Sequence, residues 1–267
     1  MANTGYQLES HAARLYEQGI VPTMSKPLTE MMLEHVPLQD GDRVLDIACG
    51  TGILTRVVAE RFGHVSSIIG VDLNPGMLEV AREHTPTTGI SIDWRQGDAC
   101  ELPLPDHSID VAFCQHGLQF MPDKDAVLRD MKRVLVPGGR LALMVWGDPT
   151  PYQASLAASL MRHISHAAAT SCLAPFALRD VGIIQKLLEA AGFRTTERQT
   201  LVLMRRLPAS VLALASQQPY ARDVETASEQ VRAAIEKEVS DAVQSYRDPD
   251  GSAFVIPQES HLVVAQT

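Results

Sequence analysis

Between Arg43 and Trp146, short apolar runs alternate with amphipathic helical stretches, a pattern that few folds accept. "RVLDIA" is a strand-type run, and "ILTRVVAERF" then sets Ile53, Leu54, Val57, Val58 and Phe62 on one helical face. "SSIIGVDL" predicts a second strand and "MLEVAREH" a helix, while "ISIDWRQ" and "SIDVAFCQ" predict strands three and four. "AVLRDMKRVL" gathers Val127, Leu128, Met131, Val134 and Leu135, stops at Pro137-Gly138-Gly139, and "RLALMVW" returns as a fifth strand. Strands separated by helices need right-handed crossovers, and the sheet they build is parallel and covered on both faces. The expected class is α/β, a doubly wound, mostly parallel sheet.

After Gly147 the pattern changes. "TPYQASLAASLMRHISHAAATSCLAPF" is Ala-rich and helical, with His163 and His166 three apart on the expected helix. "DVGIIQKLLEAAGF" is an amphipathic helix ending at Gly192, and "TTERQTLVLMRR" is a strand. A helical insert is expected from Leu207 to Tyr246. In it, Thr226 and Glu229 have capping-box spacing. Ala227, Val231, Ile235, Val239 and Val243 recur every fourth residue as one stripe. "SHLVVAQ" closes as a last strand. A strand, a helical detour and a strand predict a hairpin whose connection has grown into a lid.

The bulk properties exclude several classes. With 45% apolar and 21% charged residues among 267, the chain reads as an ordinary globular protein without a membrane-spanning run. "MANTGYQLES" lacks the basic and apolar regions of a signal peptide, which predicts a cytoplasmic location. Cys49, Cys100, Cys114 and Cys172 form no CxxC pair, so no metal site or disulfide is expected. A net charge of −9 argues against a nucleic-acid partner and tolerates a cationic ligand.

The first strand empties into "VLDIACGTG". Gly50 and Gly52 remove Cβ atoms, so the backbone can take positive φ and approach a ligand, and the following helix offers unpaired amides. A dinucleotide turn would need glycine where Thr55 stands, and Asp46 beneath the turn would repel pyrophosphate. Asp46 suits an ammonium or sulfonium group, or else caps the helix that follows. Asp72, ending the second strand in "GVDLN", is placed to accept both hydroxyls of a ribose. Asp98, after the third strand in "QGDACELP", is placed to accept from an adenine amine, and Leu73, Met77 and Ala99 could sandwich the flat ring. A ligand with an amino-acid end, a ribose, an adenine and no phosphate is S-adenosyl-L-methionine.

"VLDIACGTG", "GVDLN", "GDACELPLPDHSIDVAFCQHGLQFMPD" and "VLVPGGRLAL" resemble the successive motifs of class I S-adenosylmethionine-dependent methyltransferases. The likeness is strongest to the subgroup of ubiquinone and menaquinone C-methyltransferases and natural-product methyltransferases. The resemblance implies a Rossmann-like methyltransferase fold of seven strands, the last antiparallel, within one domain over 1–267. It implies leading lid helices over 1–38, a cofactor core over 43–146 and helical substrate caps over 151–178 and 207–247. Ala48, Gly50, Thr51 and Gly52 would form the cofactor turn, with Asp46, Asp72, Leu73, Met77, Asp98, Ala99, Cys100 and Gln115 around it.

His116, after the fourth strand, is expected near the transferred methyl as a general base or as a hydrogen-bonded pocket wall. Tyr16 brings its ring or hydroxyl near the sulfonium or the substrate, or packs within its helix. The implied reaction is in-line methyl transfer to a small apolar or aromatic metabolite, with S-adenosyl-L-homocysteine as product. The competing readings are a non-catalytic cofactor-binding or scaffold protein and a nicotinamide-dependent oxidoreductase. The Ala-rich middle segment also offers a surface to a second copy of the chain.

Overall fold

A computed structural model describes residues 10–87, 89–213 and 220–267. Residues 1–9 of the expected lid and 214–219 of the expected insert lie outside the described residues. The chain divides into two compact units. The first comprises Met1–Val145, Asp180–Leu201 and Ser260–Thr267, and the second Trp146–Arg179 and Val202–Glu259.

In the first unit, α1 (Ser10–Ile20) runs through a π-helical turn, Val21–Ser25, into α2 (Lys26–His35). Pro22 and Pro27 lack the amide that an α-helical ladder needs, and the wider turn contains the first and ends just before the start of the helix that carries the second. The strand–helix series then follows as the sequence pattern predicts. It contains β1 (Arg43–Ile47), α3 (Ile53–Arg61), β2 (Ser67–Asp72), α4 (Pro75–Glu83), β3 (Ile92–Gln96), β4 (Ile109–Gln115), α5 (Lys124–Val134) and β5 (Leu135–Trp146). Val127, Leu128, Met131 and Val134 are all buried, as their spacing requires. β5 begins earlier than expected. It takes Pro137-Gly138-Gly139 into the strand as a break in register, where Ile109 opposes Leu135 but Val111 opposes Arg140.

Among the described residues the sheet has seven strands in the order β3-β2-β1-β4-β5-β7-β6, with α8 (Val181–Ala190), β6 (Arg194–Pro208) and β7 (Ala253–Gln266) completing the series. β1 pairs in parallel with β2 and β4, so strand order reverses at β1. β7 runs against β5, because Thr267 donates to the Gly139 carbonyl at 3.1 Å and Gly147 to that of Glu259 at 2.9 Å. β6 and β7 form the expected hairpin, with Thr196 bonded to Val264 and Arg206 to Ser252.

The second unit holds α6 (Pro151–His163), α7 (His166–Leu173), α9 (Ala221–Glu225) and α10 (Glu229–Ala242). Leu156, Leu160, Ile235, Val239, Val243 and Phe254 form its buried core, so the expected stripe on α10 is the packed face. Two readings are corrected. The N-cap of α10 is Ser228, whose hydroxyl accepts from Val231 N, because Thr226 is spent closing α9 through its bond to the Arg222 carbonyl. His163 and His166 do not share a helix, because Ser165 starts a new one. His163 instead meets Glu238 at 2.9 Å, beside Ser159 and Arg162. These three donors hold the Glu238 carboxyl down at about 2.

Candidate active site

At the end of β1 the backbone turns through three left-handed residues, Ala48 (φ 56°), Gly50 (φ 57°) and Gly52 (φ 82°). Two carboxylates hold this turn. Asp72 Oδ2 accepts from Gly50 N and its Oδ1 from Asn74 N, both at 2.8 Å. Asp46 is only 2% exposed and accepts from Thr55 N at 3.2 Å and Thr55 Oγ1 at 2.7 Å. The helix-capping reading of Asp46 is therefore what its bonds record, and Thr55, the residue that breaks the dinucleotide pattern, is the partner. Burial pushes the Asp46 carboxyl up to about 7, and the nearby charge of Asp72 adds to the effect.

The space that Gly52 leaves is filled by protein. The Trp94 indole lies where a Cβ on Gly52 would stand, and the residue takes the positive φ expected of it. Reading Gly70 as a mid-strand glycine that marks a close approach would have pointed to Trp94, its partner across β2 and β3. Asn74 caps α4 by accepting from Gly76 N at 2.9 Å. Thr51 Oγ1 is buried beside the turn without a hydrogen-bond partner.

The other expected residues fall into two groups. Leu73 is exposed at the site, whereas Met77 is buried against Ala13, Val80 and Tyr16. Asp98 is exposed and accepts from Cys100 N at 2.8 Å, with Ala99 between them. Gln115 has both ends of its amide engaged by the leading helices. Thr29 Oγ1 donates to its Oε1 at 2.7 Å, and its Nε2 donates to the Ser25 carbonyl at 3.0 Å. Tyr16 OH meets Ser25 Oγ at 3.0 Å, so hydroxyl and ring both tie α1 down. Glu17 and Arg56 add an ion pair at 2.6 Å, each about 11% exposed. An open cavity of about 430 Å³ beside that pair is lined by Val21, Lys26, Arg56 and His84 and by none of the site acids.

His116 takes φ 54° after β4 and shares a 3.1 Å hydrogen bond between its Nε2 and Ser260 Oγ. Burial holds its pKa down at about 3. Burial thus keeps the imidazole neutral at pH 7, whereas general-base chemistry works best with a pKa near the operating pH. Burial raises all four thiols, Cys114 to about 12 and Cys172 to about 11, which keeps them protonated and unreactive.

Residues 45–143 match the model of a family described as "Methyltransferase domain". Over that stretch the chain is similar to methyltransferase domains. The 2-phytyl-1,4-naphtoquinone methyltransferase of Synechococcus elongatus is 40% identical over 116 residues, 43% of this chain and 50% of that relative. A ubiquinone/menaquinone biosynthesis C-methyltransferase of Pseudomonas syringae is 40% identical over 120 residues, 44% of this chain and 47% of its own. The chain thus spans about half the length of the curated relatives it matches. A phosphoethanolamine N-methyltransferase of Haemonchus contortus, solved with phosphomonomethylethanolamine and S-adenosylhomocysteine, aligns over 90% of this chain and 52% of its own. Its TM-score is 0.56 at 19% identity, a likeness of fold.

The matched stretch contains the glycine turn, Asp46, Asp72, Asp98 and His116. Tyr16, Ser25, Thr29 and Ser260, which close on it in the first unit, lie outside the matched stretch.

Proposed function

We propose that the chain transfers a methyl group from S-adenosyl-L-methionine to a small apolar or aromatic metabolite, releasing S-adenosyl-L-homocysteine. The observation that carries this reading is the cross-link between Asp72 and Gly50 N, which joins the glycine turn to the tip of β2. The donor set fits the cofactor. Asp72 and Asp98 offer carboxylate oxygens to hydroxyl and amine donors, buried Thr51 Oγ1 needs a partner, and Leu73 leaves an apolar surface for a flat ring. The cofactor would supply an electrophilic methyl carbon, and the turn, Asp72 and Asp98 would hold it in line with the acceptor. His116, kept neutral and oriented by Ser260, would shape the acceptor side. The role of the second unit as substrate cap and the cytoplasmic location belong to the same proposal. Among the described residues no single helix is long and apolar enough to cross a membrane.

Calorimetry with S-adenosylhomocysteine tests the reading directly, and absence of binding would end it. Asp72→Ala should weaken that binding by about 2 kcal/mol, because it removes a charged acceptor from the ligand and from Gly50. Unchanged affinity would count against the ribose assignment.

Asp46 gives a second signature. Its carboxyl is largely protonated below about pH 7. A cationic ligand nearby favours the carboxylate, so S-adenosylmethionine binding at pH 6 should release a fraction of a proton. Binding heats measured in two buffers of different ionisation enthalpy should differ accordingly. Equal heats would remove Asp46 from the cofactor's surroundings.

A further inference from the structure

Trp94 stands on β3 opposite Gly70 of β2, and its indole crosses the face of the sheet toward the glycine turn. A Cβ on Gly70 would lie 2.5 Å from both Cε3 and Cζ3 of the ring. A Cβ on Gly52 would lie 2.2 Å from Cη2 and 2.8 Å from Cζ3. The ring is seated in two notches that exist because both residues lack side chains. It is also braced from behind. Trp94 Nε1 donates to Thr85 Oγ1 at 2.9 Å, and Arg82 Nη2 donates to the Trp94 carbonyl at 3.3 Å. Both partners come from the end of α4 and the residues just beyond it.

The turn needs such a brace. Ala48, Gly50 and Gly52 all adopt left-handed backbone, and glycine gives up more conformational freedom than any other residue when it is fixed. Asp72 fixes the turn at Gly50 and Asp46 fixes it at Thr55, and the indole fills the space beside Gly52 between those two anchors. A ligand that meets a turn already in place loses less affinity to ordering.

We propose that Trp94 is a positioning residue for the cofactor: wedged against Gly70 and Gly52, its indole keeps the Gly50–Gly52 turn in the binding conformation. The proposal rests on the methyl-transfer reading above. It concerns a side chain beneath the turn, whose removal alters the preparation of the site and leaves the acids that would touch the ligand in place.

The test compares wild type, Trp94→Ala and Trp94→Phe by calorimetry with S-adenosylhomocysteine and by methylation kinetics on any accepted substrate. Trp94→Ala should bind about tenfold more weakly. Its KM for S-adenosylmethionine should rise about as much while kcat stays within about twofold, the signature of lost ground-state binding. Trp94→Phe, which keeps a ring at the Gly70 notch, should recover part of the loss. Should Trp94→Ala fail to fold, Trp94→Leu repeats the comparison, keeping apolar bulk and losing the ring. If wild-type protein does not bind S-adenosylhomocysteine, the methyl-transfer reading fails. If wild type binds and a folded ring-less variant binds equally well, or loses kcat and keeps KM, the positioning proposal alone is overturned.

Discussion

Replacing Gly52 with Ala should destabilise the protein by about 3 kcal/mol, one of the two largest effects expected here. Two costs add. The residue sits at φ 82°, where an L side chain is strained by about 1 kcal/mol. The new methyl would also stand 2.2 Å from Trp94 Cη2, far inside van der Waals contact. The indole cannot retreat cheaply, because its nitrogen is bonded to Thr85 and its other edge lies in the Gly70 notch. Urea denaturation measures the loss, and a double-mutant cycle separates its parts. In a Trp94→Ala background the same substitution should cost only the backbone share, about 1 kcal/mol. A cost equal in both backgrounds would show that the ring does not occupy this notch.

The second large effect is a pair of opposed pH dependences. His116 has its pKa lowered to about 3 by burial, so its contribution to stability is complete above its ordinary value near 6.5 and is lost as pH falls below it. Asp46 has its pKa raised to about 7, so its contribution is complete below its ordinary value near 3.8 and is lost as pH rises through 7. Between pH 7 and 4.5 the two slopes oppose each other in the wild-type protein. His116→Gln removes the first, so its stability relative to wild type should improve by about 2 kcal/mol over that fall in pH. Asp46→Asn keeps an acceptor for Thr55 and removes the second, so its stability relative to wild type should worsen by a similar amount. Denaturation curves at the two pH values decide the matter. Differences of the same sign in both variants would contradict the burial of one of these groups.

Much of the glycine turn and its flanking acids was legible in the chain. Asp46, Gly50, Gly52 and Asp72 could be named because each stands at a fixed offset from a strand whose apolar run is itself visible. The strand and helix faces were equally plain, as with Val127, Leu128, Met131 and Val134 on α5. What the chain does not show locally shares one cause. Nothing near Gly52 in sequence names the ring that fills its side-chain space, because that ring comes from β3. Gln115 and Tyr16 lie near the expected strand and helix, but nothing local shows that Ser25 and Thr29 engage their polar atoms. Thr226 was read as a helix cap because its spacing to Glu229 fits, but a preceding helix had already used it.

By itself, then, the sequence determined which segments are strands and helices, where the chain turns on glycine, and which acids end the strands. Those properties depend on side-chain period and backbone freedom over a few neighbouring residues. Only the tertiary structure decided which partner each polar or ring-bearing side chain meets. Ser260 reaches His116 across 144 residues of chain, and Ser25 reaches Gln115 across 90. Such pairings arise when packing closes distant segments on one another, and no local pattern carries them.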